Sequence, residues 1–312
     1  MLTITSFGAT SSPARVNEPR RDPFRVGAVQ HRWHADPKVH RAALRDGVLA
    51  AADHGAQLIC LQELTLSSYF ADARPEGPPA HLAESLDDGP TRAFAAELAA
   101  ETGVAIHASL YERVGDDNLG FNTAIVVAPD ATLLTRTRKL HIPVTAGYYE
   151  DQYFRPGPAS PESYPVLDLG PGRFGFPTCW DQWFPEVARA YSLAGAEVLV
   201  YPTAIGSEPD HPDFDTRPLW QNVITANGIA NGTFMVVINR VGTEGLLTFY
   251  GSSFISDPYG RILVQAPRDE PCVLVADLDL DQRDDWLTLF PFLATRRPDT
   301  YASLCAPLLT QD

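Results

Sequence analysis

Cysteine is scarce in this sequence: Cys60, Cys179, Cys272 and Cys305 are spread over 312 positions with no C-x-x-C pattern. That argues against a disulfide-stapled secreted scaffold, and a reducing, cytoplasmic setting fits best. Long apolar runs are also lacking. No stretch approaches the roughly 18 residues needed to span a bilayer, and residues 1–22 contain no signal-peptide core, so no membrane role is expected. Positive charge is in deficit, with 24 Lys and Arg against 39 Asp and Glu and a net charge of −15. Such a field argues against nucleic acid and anionic membranes as the main partner and, more weakly, favours a cationic small-molecule substrate.

What is present is a chain with 45% hydrophobic residues, long enough to bury a large core. The stretch from Ala9 to Pro23 is polar and rich in Pro and Ser. Residues 1–22 therefore read as a flexible arm, and residues 23–312 as one domain. Phe24 to Gln30 reads as a buried strand, and Asp36 with Pro37 supplies an N-cap and N1 proline for a helix. Its apolar positions Leu44, Val48, Ala51 and Ala52 share one face, Gly55 ends it, and the apolar run 57–62 leads to Glu63. A helix near 91–102 follows, then a strand at 104–111, a turn at 115–118, and strands at 122–128 and 132–138.

Near residue 173 the opening pattern returns, with a strand at 173–178, a helix at about 185–194, Gly195 and a strand at 198–201. Even residues correspond: His54-Gly-Ala-Gln-Leu-Ile-Cys-Leu61 matches Ala194-Gly-Ala-Glu-Val-Leu-Val-Tyr201, and Arg25-Val-Gly27 matches Arg173-Phe-Gly175. Two such α/β halves, each with helices on one face of its sheet, bury their bare faces in a four-layer α-β-β-α sandwich. The ordinary alternative is a three-layer sheet with helices on both faces. Further strands are expected at 235–239, 249–256, 261–265 and 272–277, with a turn at 257–260 and a docked C-terminal tail from about 283 to 312.

Chemistry gathers at three strand ends. In Phe176-Pro-Thr-Cys-Trp-Asp-Gln-Trp-Phe-Pro-Glu186 a cysteine ends a strand and precedes a helix, where a sharp turn exposes it. The Trp180 N–H can then face an oxyanion, and the positive helix end favours a thiolate. The competing reading is a small buried hydrophobe, which is how Cys60, Cys272 and Cys305 are read. Glu63 falls at the carboxyl edge of the sheet, where α/β proteins collect catalytic groups, although a solvated glutamate also fits there. Lys139 stands at another strand end, which equally suits a basic solvent-facing edge. His31, His34, His40, His54, His107 and His211 lack metal-ligand spacing, so neither metal nor cofactor is expected.

Together, Leu61-Gln-Glu63, Arg138-Lys-Leu-His-Ile-Pro143 and Cys179-Trp-Asp-Gln-Trp-Phe-Pro-Glu186 resemble the three signature segments of the nitrilase superfamily of carbon–nitrogen hydrolases, in order and spacing. The resemblance covers roughly residues 24–300 and includes Asn239-Arg-Val-Gly242 and Phe249-Tyr-Gly-Ser-Ser-Phe254. It implies the α-β-β-α fold, a catalytic triad of Glu63, Lys139 and Cys179, and Glu150 as a further active-site acid. His141 is read as a structural hydrogen-bonding residue near the site. The resemblance also implies a homodimer or higher homo-oligomer, with the C-terminal tail crossing to the partner.

Within the superfamily the segments after Cys179, Gly147-Tyr-Tyr149 and Ala204-Ile-Gly-Ser-Glu-Pro209 are most similar to N-carbamoylputrescine amidohydrolases. That resemblance implies substrate contacts from Tyr148, Trp180, Gln182 and Glu208, a carboxylate and a ring being suited to an ammonium. A β-ureidopropionase-type hydrolase of carbamoyl amino acids is the alternative. It draws on Pro218-Leu-Trp220 and on Ile238 to Glu244, with Arg217 or Arg240 gripping a carboxylate. A non-catalytic binding or assembly protein on the same scaffold is an alternative of another class.

Overall fold

The computed structural model describes residues 1–8, 10–115, 119–160 and 162–307. Strand β1 (Leu2–Ser6) is followed by β2 (Phe24–Gln30), helix α1 (Pro37–Asp53), β3 (Leu58–Leu61), α2 (Pro90–Thr102), β4 (Ala105–Glu112), β5 (Phe121–Val127) and β6 (Leu133–Arg138). The second half contains β7 (Val166–Leu169), β8 (Gly172–Gly175), α3 (Pro185–Leu193), β9 (Val198–Pro202), α4 (Arg217–Asn231) and β10 (Phe234–Ile238). A hairpin of β11 (Val241–Glu244) and β12 (Leu247–Tyr250) precedes β13 (Phe254–Ser256), β14 (Ile262–Gln265), β15 (Cys272–Leu278) and α5 (Asp281–Leu289).

Local chemistry accounts for the helix ends. The Asp36 carboxylate accepts from Lys38 N–H at 2.8 Å, Pro37 opens α1, and α2 starts at Pro90 and stops at Gly103, whose φ of 73° suits a residue without Cβ. The repeat read from the sequence is visible in the strand order. One sheet runs β1-β15-β2-β3-β4-β5-β6 and the other β14-β13-β10-β9-β8-β7. In the first, β2, β3 and β4 are parallel and β5 and β6 antiparallel; β8, β9, β10, β13 and β14 repeat those senses.

The two sheets face each other across a core containing Phe24, Val26, Cys60, Phe174, Phe176 and Val236. Helices α1 and α2 cover the outer face of the first sheet through Leu44, Val48, Phe94 and Leu98. Helices α3 and α4 cover the second through Val187, Trp220 and Ile224. The layers are therefore α-β-β-α, and the three-layer arrangement does not occur.

Three expectations change. The arm at 1–22 is docked: β1 pairs with β15, and Arg15 and Arg21 reach Asp279 and Asp281, each at 2.7 Å. Composition registers those arginines as solvated charge because their aspartate partners lie more than 250 residues away. The single strand expected at 249–256 is two strands, broken where Gly251 and Ser252 take φ of 50° and 57°. Helix α4 has no counterpart in the sequence reading, since Gly228 and two asparagines interrupt its apolar pattern. Of the turn expected at 115–118, residues 116–118 lie outside the described residues. No described helix is long and apolar enough to cross a membrane.

Candidate active site

Glu63 lies two residues beyond β3, Lys139 directly follows β6, and Glu150 opens a short 3-10 turn. The Lys139 ammonium sits 3.1 Å from Glu63 Oε1 and 2.6 Å from Glu150 Oε2, and all three side chains are fully buried. Two residues the sequence reading missed complete the array. Asn122 donates to Glu63 Oε1 at 2.6 Å, and Tyr69 OH donates to Glu150 Oε1 at 2.9 Å. Glu63 Oε2 has no hydrogen-bond partner among the described residues, so one carboxylate oxygen is held while the other is an open acceptor.

Two carboxylates around one ammonium set the proton affinities. Burial alone would lower the Lys139 pKa, but Glu150, Glu63 and Cys179 outweigh it and hold the ammonium above the ordinary lysine value. Burial pushes the Glu150 carboxyl up to about 7, aided by Glu63 and opposed by Lys139 and Tyr69. The Cys179 thiol is raised well above its usual range, chiefly by burial and then by Glu63, with Lys139 pulling the other way. A resting thiolate promoted by the helix end is therefore not what this environment favours.

Cys179 begins a short 3-10 turn after β8 and has φ of 42°, a left-handed conformation that costs a non-glycine residue on the order of 1 kcal/mol or more. Asp181, fully buried, holds that turn against the segment carrying Lys139. Its carboxylate accepts from Thr178 N–H at 3.3 Å, His141 N–H at 3.0 Å, His141 Nδ1 at 2.7 Å and Leu140 N–H at 3.3 Å. His141 stacks on Phe184 with ring centroids 3.7 Å apart, consistent with a structural part.

A cavity of about 270 Å³ opens over Cys179 and Glu150. Trp180, Trp183, Ile205 and Leu219 form much of its wall, and Tyr148, Thr216 and Glu208 contribute polar groups. Tyr148 OH accepts from Gly206 N–H at 3.0 Å, and a Cβ at Gly206 would meet Thr248 O at 2.3 Å, so only glycine fits there. Glu208 Oε1 accepts from Thr216 Oγ1 at 3.3 Å, and burial raises its carboxyl against the pull of Thr216 and His211.

Gln182 corrects the sequence reading: it is not among the cavity-lining residues. It lies buried behind the turn, where its side-chain oxygen accepts from Thr203 and its backbone carbonyl accepts from Asn227. A 3-10 turn has about three residues per turn, so Trp180 and Trp183 share the cavity face while Asp181 and Gln182 do not, which the motif alone does not reveal. Arg240 is fully buried against Glu244, and Arg217 is not among the lining residues. Among the described residues, no lysine or arginine lines this cavity. His31, His34 and His40 do gather, with ring centroids 5.4 to 6.3 Å apart, yet no described group of three His, Cys, Asp or Glu side chains is arranged to hold a metal.

The family model for carbon–nitrogen hydrolase matches residues 25–287. An N-carbamoylputrescine amidase of Solanum lycopersicum is 38% identical over 287 residues, which cover 89% of this chain and 94% of the relative. A citrullinase of Francisella tularensis is 35% identical over 282 residues, 89% of this chain and 96% of the relative. Among solved structures, a carbon–nitrogen hydrolase from Helicobacter pylori G27 superposes with a TM-score of 0.83 at 32% identity, covering 92% of this chain and 100% of that one.

Proposed function

Since this chain belongs to the carbon–nitrogen hydrolase family and is an amidohydrolase, we propose that it hydrolyses a small ureido compound with a cationic far end, N-carbamoylputrescine fitting best, through a covalent Cys179 intermediate. The supporting observation is the charge pattern of the cavity. Glu150 lines the cavity with Cys179, the buried Lys139 joins Glu150 to Glu63 behind that lining, and Glu208 is the charged group elsewhere on its wall. Both relatives named above carry names denoting ureido compounds, one of them a carbamoylated diamine.

In this mechanism Glu63 takes the Cys179 proton as sulfur attacks the ureido carbonyl, because the raised thiol makes proton transfer part of the attack. Lys139 and the Trp180 N–H receive the charge that develops on the carbonyl oxygen, a donor of this kind being worth about 3–4 kcal/mol when removed elsewhere. Glu63 returns its proton to the departing nitrogen, and the carbon stays bound to sulfur as a thioester-type adduct. Water then gives its proton to Glu63 and its oxygen to that carbon. The adduct breaks at the C–S bond, and the thiol regains its proton. The species released is a carbamic acid, whose remaining C–N bond breaks as it loses CO2, so that N-carbamoylputrescine gives putrescine, CO2 and ammonia. Glu150 holds Lys139 in place throughout, and Tyr148 and Glu208 receive the substrate ammonium.

The ureido-acid alternative requires a cation to meet the carboxylate, and both arginines suggested for that part stand outside the cavity lining. Loss of Glu63, Lys139 or Cys179 would favour the binding-protein alternative, and all three are present. Our reading also includes a homo-oligomer in a reducing, cytoplasmic setting, which four free thiols suit. Ammonia release from N-carbamoylputrescine and from N-carbamoyl-β-alanine tests the substrate assignment. A higher kcat/KM for the amine supports it, whereas a preference for the acid replaces it with the ureidopropionase reading.

A further inference from the structure

Arg240 is fully buried, follows β10 and spends its whole guanidinium on protein groups. Its Nη1 donates to both Glu244 carboxylate oxygens at 2.5 and 2.6 Å, its Nε to Glu63 O at 3.4 Å, and its Nη2 to Leu64 O at 3.0 Å and to Ser67 O. Glu244 Oε2 in turn accepts from Tyr69 N–H at 2.7 Å. One ion pair from the second half of the chain thus grips both ends of the turn 63–69 in the first half. At one end the turn presents the Glu63 side chain to Lys139; at the other it presents Tyr69 OH to Glu150. Between them Leu64 has φ of 49°, a left-handed conformation that persists only where its surroundings impose it.

We propose that Arg240 and Glu244 are positioning residues that set the two active-site carboxylates, Glu63 and Glu150, against Lys139. A buried ion pair is a poor way to add stability, since apolar residues of similar volume commonly serve as well or better. The planar five-donor fork of arginine does supply what this turn requires, simultaneous bonds to three carbonyls and a carboxylate. The neighbouring Asn239 acts alike on the opposite wall: it bonds Ile205 N–H and Ile205 O at 3.0 and 2.9 Å, next to Ala204, whose carbonyl lies 3.9 Å from Cys179 Sγ. The Asn239-Arg240 dipeptide therefore ties both sides of the reacting centre to the end of β10.

The inference rests on the catalytic reading of Glu63, Lys139, Cys179 and Glu150, and Cys179→Ala separates the two. If Cys179→Ala stays active, that reading fails first and this proposal falls with it. With Cys179→Ala inactive, Arg240→Lys and Glu244→Gln are measured on the full chain below their melting temperatures. The expected result is a kcat loss of roughly 10- to 100-fold with KM within about threefold, as misplaced catalytic groups give. The acid limb of the kcat profile should also move to higher pH, as it should in Tyr69→Phe, because losing the Tyr69 bond destabilises the charged form of Glu150. Should Arg240→Lys not fold, Glu244→Gln, which keeps side-chain volume and an acceptor for Tyr69 N–H, decides alone. Folded variants with wild-type kcat and an unmoved acid limb, or with only KM raised, overturn the proposal.

Discussion

Replacing Glu208 with glutamine removes the one charged group that the cavity offers away from its reacting floor, and leaves shape almost unchanged. Losing a buried charged partner costs about 2–5 kcal/mol of binding. Glu208 is only half-buried, so screening places the effect at the low end, about 2 kcal/mol, or roughly 30-fold in kcat/KM. The assay compares ammonia release from N-carbamoylputrescine with release from a neutral alkylurea of equal length. Glu208→Gln should lower kcat/KM for the amine by that factor and leave the alkylurea within about twofold, since uncharged contacts are retained. Because burial raises the Glu208 carboxyl, wild-type discrimination should also weaken as pH falls toward that raised value. Equal losses for both substrates would refute the reasoning, for Glu208 would then be shaping the cavity and not reading charge.

With the exposed Cys305 replaced by serine, iodoacetamide should label Cys179 ahead of Cys60 and Cys272; mass spectrometry of peptides checks this, since Cys179 lines the cavity while Cys60 and Cys272 are buried in the core between the sheets. Glu150, held up to about 7 in the fold, stabilises the native state most below its unfolded value near 4.5 and loses that contribution as pH rises through about 7. Melting curves of wild type and Glu150→Gln between pH 4.5 and 8 should therefore show wild type losing ground relative to the variant, while kcat, which needs the carboxylate to hold Lys139, falls below about pH 7. Arg21→Ala should cost about 1–2 kcal/mol in urea denaturation, because it removes a charged partner from both Asp281 and Glu197 and leaves them their backbone donors; no measurable loss would return the N-terminal segment to a loose arm.

Much of the fold was legible because its signals are local. Asp36 and Pro37 announce a helix start, Gly55 and Gly103 announce stops, and the shared pattern around Cys60 and Val200 exposes the duplication. The docked N-terminus was illegible since its arginines acquire partners only after β15 and α5 have folded into place. The break at Gly251 and Ser252 coincides with the Gly-Ser-Ser stretch between Tyr250 and Phe254, a turn signal that reading 249–256 as one strand passed over. In the site, motif resemblance pointed to Glu63, Lys139, Cys179 and Glu150, and the structure places these side chains together. That resemblance gave no hint of Tyr69, Asn122 or Asp181, and Arg240 entered only in the alternative reading, beside Arg217, as a grip for a substrate carboxylate. Those residues act through hydrogen bonds across long sequence separations, which leave no periodicity to read. Gln182 misled for a related reason, since its motif position says nothing about the facing of a 3-10 turn.

The central claim, that Cys179 is the nucleophile of this amidohydrolase, is tested most directly by ammonia release from N-carbamoylputrescine and a panel of simple amides, comparing wild type with Cys179→Ala. The account predicts turnover by wild type and a loss of several orders of magnitude in the folded variant. Equal ammonia release from the two proteins would contradict it.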